Sequence, residues 1–388
     1  MDVDPEFYEG STDADMKERF FAAPGRVEIG GNHTDHQHGR VLAAAVDLET
    51  TCSAIANGTN IVNIKNEQYG SESLDISSLE VVESEKETSA SLVRGVAAWL
   101  KRHGYTVGGF DAVISSDIPA GSGLSSSAAY EVLIGNVFKG LFNAEISPLD
   151  IAIAGQYAEN VYFGKPCGLM DQAASSFGGL SMIDFKDPEN AIVRSIAAVL
   201  PGYALCVVAT GCSHADLTPE YAAIPAEMRT IAEHFGKEFL RDVPADAFYA
   251  DIGKIRYLSG RAILRAIHFF EDNERVLKQA AALENGDVAL FFDYINESGR
   301  SSLAYLQNVF SSSKPHEQGL TLALALSERV LAGKGAWRVH GGGFAGTILA
   351  FVPDELKEKY NRQMSDVFGE NCCHFLTIRK EGGREKIL

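Results

Sequence analysis

Residues 117–129 read DIPAGSGLSSSAA, and the stretch runs straight into an apolar segment, Ala128–Phe142. Within that segment Val132, Leu133, Val137 and Leu141 recur at helical spacing. A run of small residues opening a helix lets several backbone N–H groups point at one concave site, and the helix start adds positive potential without a lysine. The stretch is not a P-loop, because no Lys precedes the Ser as G-x-x-x-x-G-K-[ST] requires, and it is not the dinucleotide fingerprint of a Rossmann unit. Taken alone it reads equally as an anion-binding helix start or as a capped helix after a flexible loop. A second cluster, VHGGGFAGT at 339–347, lies between two strand-like runs. Its three successive glycines suit a tight turn or the close approach of a ligand.

Working outward, residues 1–20 form a polar lead-in. Strands are predicted at 41–46 and 51–56, and at 61–65 after the turn signal Asn57-Gly58. The acidic, serine-rich segment 71–88 reads as a surface excursion. A helix over 89–103 and a strand over 110–114 follow. Beyond the loop come helices at 128–142 and 148–162, a third opening near Asp171, and strands at 180–185 and 203–209. The break at Leu200-Pro201-Gly202 divides an N-terminal domain, 1–202, from a C-terminal one, 203–388. The second half is helical over 219–236, 258–285, 286–297 and 315–333, with strands at 336–340, 346–352 and 373–379. Strands grouped with helices, with no repeat of fixed period, predict an α+β architecture rather than a doubly wound sheet.

The chain of 388 residues is long enough for two cores, and 46% hydrophobic against 22% charged residues is globular composition. A formal charge of -18 repels a polyanionic duplex, so no nucleic-acid partner is expected. An anionic substrate would need oriented amides or local positive charge, which the 117–129 loop can supply. Six cysteines lack a C-x-x-C pair, and the neighbours Cys372 and Cys373 read as thiols of a C-terminal strand rather than as a metal or redox centre. The acidic N-terminus is no signal peptide, no apolar run reaches the length of a membrane span, and a cytoplasmic location without membrane contact is expected.

At 23–37 the sequence APGRVEIGGNHTDHQ resembles the galactokinase signature A-P-G-R-V-N-L-I-G-E-H-T-D-Y. The 117–129 loop is similar to the P-x-G-x-G-L-S-S-S-A motif of the GHMP kinase superfamily. Ala158-Glu159-Asn160 with CGLMDQ at 167–172 resembles A-E-N…C-G-I-M-D-Q, and residues 339–353 resemble the third motif. The motifs stand in family order from Phe21 to Val352. The resemblance implies a two-domain GHMP-kinase-like α+β fold with the active site in the cleft between the domains, and an ATP-dependent sugar-1-kinase that makes galactose 1-phosphate. Asp171 would then act on the anomeric hydroxyl as general base or orienting carboxylate, and Arg26 would stabilise charge on the phosphoryl group. Gly121, Ser122, Gly123, Leu124, Ser125, Ser126 and Ser127 would wrap the phosphates of ATP, with Ser127 and Glu159 holding Mg²⁺. Asn32, His33, Asp35, Tyr221, Gly342 and Gly343 would face the sugar.

Each residue also has an ordinary reading. Asp171 can cap a helix, Arg26 can sit in a surface ion pair, and Glu159 can be a solvated helix residue. Tyr221 can pack in a core, and His33 can be structural; a zinc site from His33, His36 and His38 lacks supporting spacing. The sequence also departs from the family pattern. Asn32 stands where the family carries a Glu that meets the C6 hydroxyl, which leaves a donor and removes a charge; Asp35-His36-Gln37 is similar to galacturonokinases. Glu28 replaces Asn, His340 a small hydroxyl residue and Ala345 a Gly, while Ser91-Leu92 replaces an aromatic-containing pair near the nucleotide side. The alternatives are therefore a kinase for galacturonate, arabinose or N-acetylgalactosamine, or a non-catalytic sugar sensor on the same fold. Against the sensor, the Ser-Ser-Ser-Ala run, Asp171 and Arg26 are all present.

Overall fold

The computed structural model describes residues 17–66, 70–119, 122–142, 145–197, 200–211 and 217–387. The first sheet is built on two long antiparallel strands, β1 (Arg19–Gly30) and β2 (Arg40–Ala56), paired from Arg19 opposite Ala54 to Gly30 opposite Leu42 with two shifts of register between. β1 is buried along nearly its whole length, so it lacks the alternation that marks a half-exposed strand. β2 joins the two shorter strands predicted for it. Asp47 and Glu49, which interrupt its apolar pattern, are satisfied by the C-terminal segment through Thr377, Arg379 and Lys386.

β3 (Ile61–Asn66), β4 (Gly70–Asp75) and β5 (Phe110–Ser116) extend this sheet. β5 inserts between β2 and β3 and pairs with β3 in parallel, so the Asn57-Gly58 turn does not join neighbouring strands. The expected surface excursion after residue 70 begins instead as the edge strand β4. Leu74 is its one buried residue, which left no apolar signal to read. β6 (Leu180–Asp184) pairs with β2, and β7 (Ile192–Ser195) pairs with β6.

Helices α1 (Ser89–Arg102), α2 (Ser126–Phe142), α3 (Pro148–Tyr157) and α4 (Met170–Phe177) belong to this half of the chain. Ser147 and Asp150 cap α3 reciprocally, and α3 continues into a π-helical turn, Ala158–Phe163. Phe21, Trp99, Leu100, Phe110, Val132 and Phe138 fill the core between these helices and the sheet.

The second sheet holds β8 (Tyr203–Ala209), β9 (Ala336–Val339), β10 (Thr347–Pro353) and β11 (Cys373–Leu376), all antiparallel in the order β11-β8-β10-β9. Cys372 is buried and Cys373 half-buried where β11 begins. The helices of this half are α5 (Thr218–His234), α6 (Ala245–Asp251), α7 (Gly260–Glu284), α8 (Val288–Ser301), α9 (Gly319–Leu331) and α10 (Lys357–Phe368). The sequence did not announce α6 or α10: α6 buries Phe248, and α10 buries Tyr360 and Met364, too few positions for a period. Among the described residues no helix is long and apolar enough to cross a membrane. The architecture is α+β, as expected.

The two sheets share a core. Val27, Ile29 and Leu42 of the first pack with Leu205, Val207, Leu349 and Phe351 of the second, closed by Phe291, Phe292 and Ile295 of α8. The strands change sheet across Leu200–Gly202, with one return. β12 (Arg384–Lys386) crosses back to pair with β1, placing Lys386 opposite Phe20. The crossing is tight at Gly382, where a Cβ would lie 2.2 Å from the Ser176 carbonyl oxygen and 2.7 Å from the Gly178 nitrogen. Gly382→Ala is therefore expected to cost about 1–3 kcal/mol of stability through overpacking against backbone, read as a lower thermal midpoint; an unchanged midpoint would refute the close crossing.

Candidate active site

A cavity of about 530 Å³ opens where the 122–127 loop, the end of β1, the start of α4 and the 340–345 turn converge. Arg26 and Glu28 reach it from β1, two residues apart and so on one face of the strand. β1 breaks register with β2 on either side of this pair, between Pro24 and Arg26 and again between Glu28 and Gly30. Such bulges re-aim side chains at the end of a sheet.

Arg26 donates through Nε to Asp171 Oδ1 and through Nη2 to Oδ2, both at 2.6 Å, and its Nη1 reaches the Gly123 carbonyl at 2.6 Å. Ser125 Oγ also donates to Asp171 Oδ2. Asp171 thus lies in the first turn of α4 with its carboxylate held by Arg26 and Ser125, and 27% of the side chain faces solvent in the cavity. Burial alone would push this carboxyl up. The Arg26 charge, the hydrogen bonds from Arg26 and Ser125, and Lys165 outweigh it and hold the group below the usual carboxylate range. Arg26 itself is buried, which removes the surface-pair reading.

The glycine loop supplies Ser122, Gly123, Leu124, Ser125, Ser126 and Ser127 to the cavity wall; Gly121 lies outside the described residues. Its path is fixed by Arg26 N–H donating to the Leu124 carbonyl at 3.0 Å and by two left-handed residues, Gly123 (φ 73) and Ser125 (φ 59). At Gly123 a Cβ would fall 2.2 Å from Thr347 Oγ1, so the loop needs glycine for both conformation and space. Ser122 Oγ is buried with no partner among the described residues. The first turn of α2 directs its free N–H groups to this side, as every helix start does.

The lining also includes His33, Asp35, His36, Tyr221, His340, Gly341 and Gly342. Asp35 is fixed by the amide of His36 at 2.9 Å. His33 donates from Nε2 to the Gly342 carbonyl at 2.9 Å, which leaves Nδ1 an acceptor without a partner among the described residues. Burial, then the His36 ring stacked at 5.3 Å, pulls its pKa down to about 3, so the ring is neutral. His38 instead stacks on Phe239 at 3.7 Å, and the three histidines do not converge. Tyr221 donates to the Gly343 carbonyl at 2.8 Å and stands edge-on to Phe344. Gly343 does not line the cavity.

Asn32 does not line it either. It is fully buried, and its Nδ2 donates to both Glu28 oxygens, at 3.0 and 3.2 Å, and to the Gly341 carbonyl at 2.7 Å. The carboxylate that the sequence reading found missing at position 32 therefore stands four residues earlier, at Glu28, bonded to the residue that replaced it. The two departures from the signature are one exchange, legible as E…N for N…E at i,i+4.

Glu159 is nearly buried below the loop. Its Oε1 meets Lys165 Nζ at 2.9 Å, and its Oε2 accepts from Gln172 Nε2 at 2.9 Å. Gln172 also bonds Glu131 Oε2 at 2.9 Å; burial, then the Glu159 charge, pushes the Glu131 carboxyl well up. The sequence reading missed Lys165, whose ammonium reaches the cavity wall with no motif around it to give it away. Ser91 turns its hydroxyl back onto the Thr88 carbonyl and stays out of the cavity.

Two family models match the chain: GHMP kinases N terminal domain over residues 91–179, and the Galactokinase galactose-binding signature over residues 6–55. The structure is similar to that of Lactococcus lactis galactokinase complexed with galactose, with a TM-score of 0.83 and 26% identity over 97% of this chain and 96% of that one. Methanococcus jannaschii mevalonate kinase shares the fold, with a TM-score of 0.66 and 15% identity over 94% of this chain and 99% of the other. So does a D-glycero-D-manno-heptose 1-phosphate kinase from Bacteriodes thetaiotaomicron, with a TM-score of 0.61 and 17% identity over 96% and 99% of the two chains. The chain thus carries both the GHMP kinase N-terminal domain and the galactokinase galactose-binding signature, which indicate a phosphotransferase acting on a sugar hydroxyl.

Proposed function

We propose that the protein transfers the γ-phosphoryl group of ATP to the anomeric hydroxyl of galactose. One observation carries this reading: a carboxylate held in two-point contact by a buried arginine faces the cavity that the phosphate-type loop lines. Phosphoryl transfer needs chiefly positioning and charge stabilisation, and each has a residue here. The loop from Ser122 to Ser127 and the α2 start would take the phosphates. Asp35, His33 and Tyr221 also line the cavity, where the sugar hydroxyls would lie.

Asp171 orients the attacking hydroxyl. With its pKa held down, it gains the proton only as the oxygen bonds to phosphorus and grows acidic. Arg26 faces the charge that develops on the transferring group. Ser127 would hold a magnesium ion of the kind that keeps its waters and phosphate ligands, its hydroxyl being in the cavity wall. Glu159 does not line the cavity and has both oxygens engaged, by Lys165 and Gln172, so it would serve only after releasing Lys165. When bound, the metal neutralises charge between the phosphate oxygens.

Coupled ADP release with Mg-ATP is expected to favour galactose over glucose, arabinose, N-acetylgalactosamine and galacturonate; release with none of them would sink the reading. Asp171→Asn should lower kcat roughly 10²–10⁴-fold, and Arg26→Ala about 10³-fold or more. The double variant should be little worse than either alone, since the pair acts as one unit. Near-normal turnover in either single variant would remove that residue from the mechanism. Ser127→Ala should raise the Mg²⁺ concentration needed for half-maximal rate, and an unchanged requirement would place the metal elsewhere.

A further inference from the structure

Glu28 is the cavity residue whose surroundings differ most from an ordinary wall. Only 1% of it is exposed, yet it lines the cavity beside Arg26, one strand repeat of roughly 7 Å away. Arg338 on β9 clamps Oε1 at 2.7 Å, and the Asn32 amide spans both oxygens from behind. Oε2 receives just the longer Asn32 contact, at 3.2 Å, and keeps a lone pair for a further donor. His340 fixes the backbone at this point: its Nε2 accepts from the Glu28 N–H at 3.1 Å, so its proton is on Nδ1, which donates to Thr347 Oγ1 at 3.0 Å. Burial, then the nearby Arg26 and Arg338 charges, holds the His340 pKa well below its ordinary value, so the ring stays neutral.

We infer that Glu28 selects the sugar: its free oxygen accepts a hydroxyl at the end of the ring away from Asp171, and its charge excludes a uronic acid. The inference rests on the sugar-kinase reading above and names the substrate class for that site, a neutral aldose. A like charge set against a buried carboxylate is strongly disfavoured. Discrimination of this kind depends on Glu28 being ionised. Burial pushes its pKa up, and Arg338, the Asn32 hydrogen bond and Arg26 offset this while Asp35 adds to it, leaving it at about 7. The charged groups around it are thus Arg338 on β9, Arg26 on β1, and Asp35 in the turn after β1, where the His36 ring also lines the cavity. Behind Asn32 lie His268 and Asp272 of α7.

The sign follows. Above neutrality Glu28 is anionic and a uronate is rejected; below it the acid form can donate to that carboxylate, and the rejection relaxes. The test is the ratio of kcat/KM for galactose to that for galacturonate, in which any titration of ATP cancels. The ratio is expected to be roughly 100-fold or more at the alkaline end and to fall about tenfold from near pH 8 to near pH 6. Glu28→Gln should raise KM for galactose more than it lowers kcat and should flatten that pH dependence. His36→Gln, which leaves the Arg338 clamp intact, should keep the dependence even if Glu28→Gln fails to fold. A ratio that does not move with pH in the wild-type protein, a dependence lost in His36→Gln, or one that survives Glu28→Gln would overturn the inference. Those outcomes still include galactose turnover, whereas failure of the kinase reading is the absence of turnover with every sugar.

Discussion

The contact on which the two halves depend is an ion pair in the dry interior. Arg338, on the outer strand of the second sheet, gives one guanidinium nitrogen to Glu28 and another to the Ile29 carbonyl, both on the first strand of the first sheet. Arg338 is fully buried and Glu28 nearly so, so each charge is costly without the other. A pair of this sort adds little net stability over a well-packed apolar substitute. It does penalise any arrangement of the sheets that separates the charges. The apolar residues of the shared core can slide past one another at small cost, and the ion pair supplies the register they lack.

That register is what the chemistry uses. Arg26 and Glu28 lie on one strand, Asp171 on a helix start, Ser125 on the loop and His340 on the turn after β9. Four separate segments must therefore agree in position at one cavity. The side chains check one another: Arg26 contacts both the Asp171 carboxylate and the carbonyl of the loop, while His340 contacts the amide of Glu28 and the hydroxyl of Thr347. Neutral histidines serve as fixed donors and acceptors here, because burial removes their charge over the working range. The charged groups that remain are those the arginines hold.

The order of motifs made the fold class and most of the site legible from sequence, because small residues before a helix and glycines between strands leave marks in one dimension. Helices with a wide apolar face, such as α7, were equally plain. What escaped detection was structure without periodicity: β1, buried on both faces; β4, with one buried residue; and α6 and α10, docked through one or two side chains. At the site, the residues of the signature were legible one by one but their pairing was not. Asn32 looked like a lost carboxylate because sequence cannot say that positions 28 and 32 touch. Lys165 carried no signal at all, since its place at the cavity comes from the turn that follows the π-helical segment.

The return of the chain to its own beginning has a consequence for biogenesis. β12 supplies the outer neighbour of β1, so residues 384–386 complete a sheet whose other members are encoded within the first half. During synthesis the edge of that sheet stays bare while everything from α5 to β11 is made. Contacts of such sequence separation form slowly, and a long unpaired edge is a template for intermolecular pairing. The nascent N-terminal half is thus the species most exposed to aggregation. That half stays open to pairing with another chain at residues 20–22 until β12 docks.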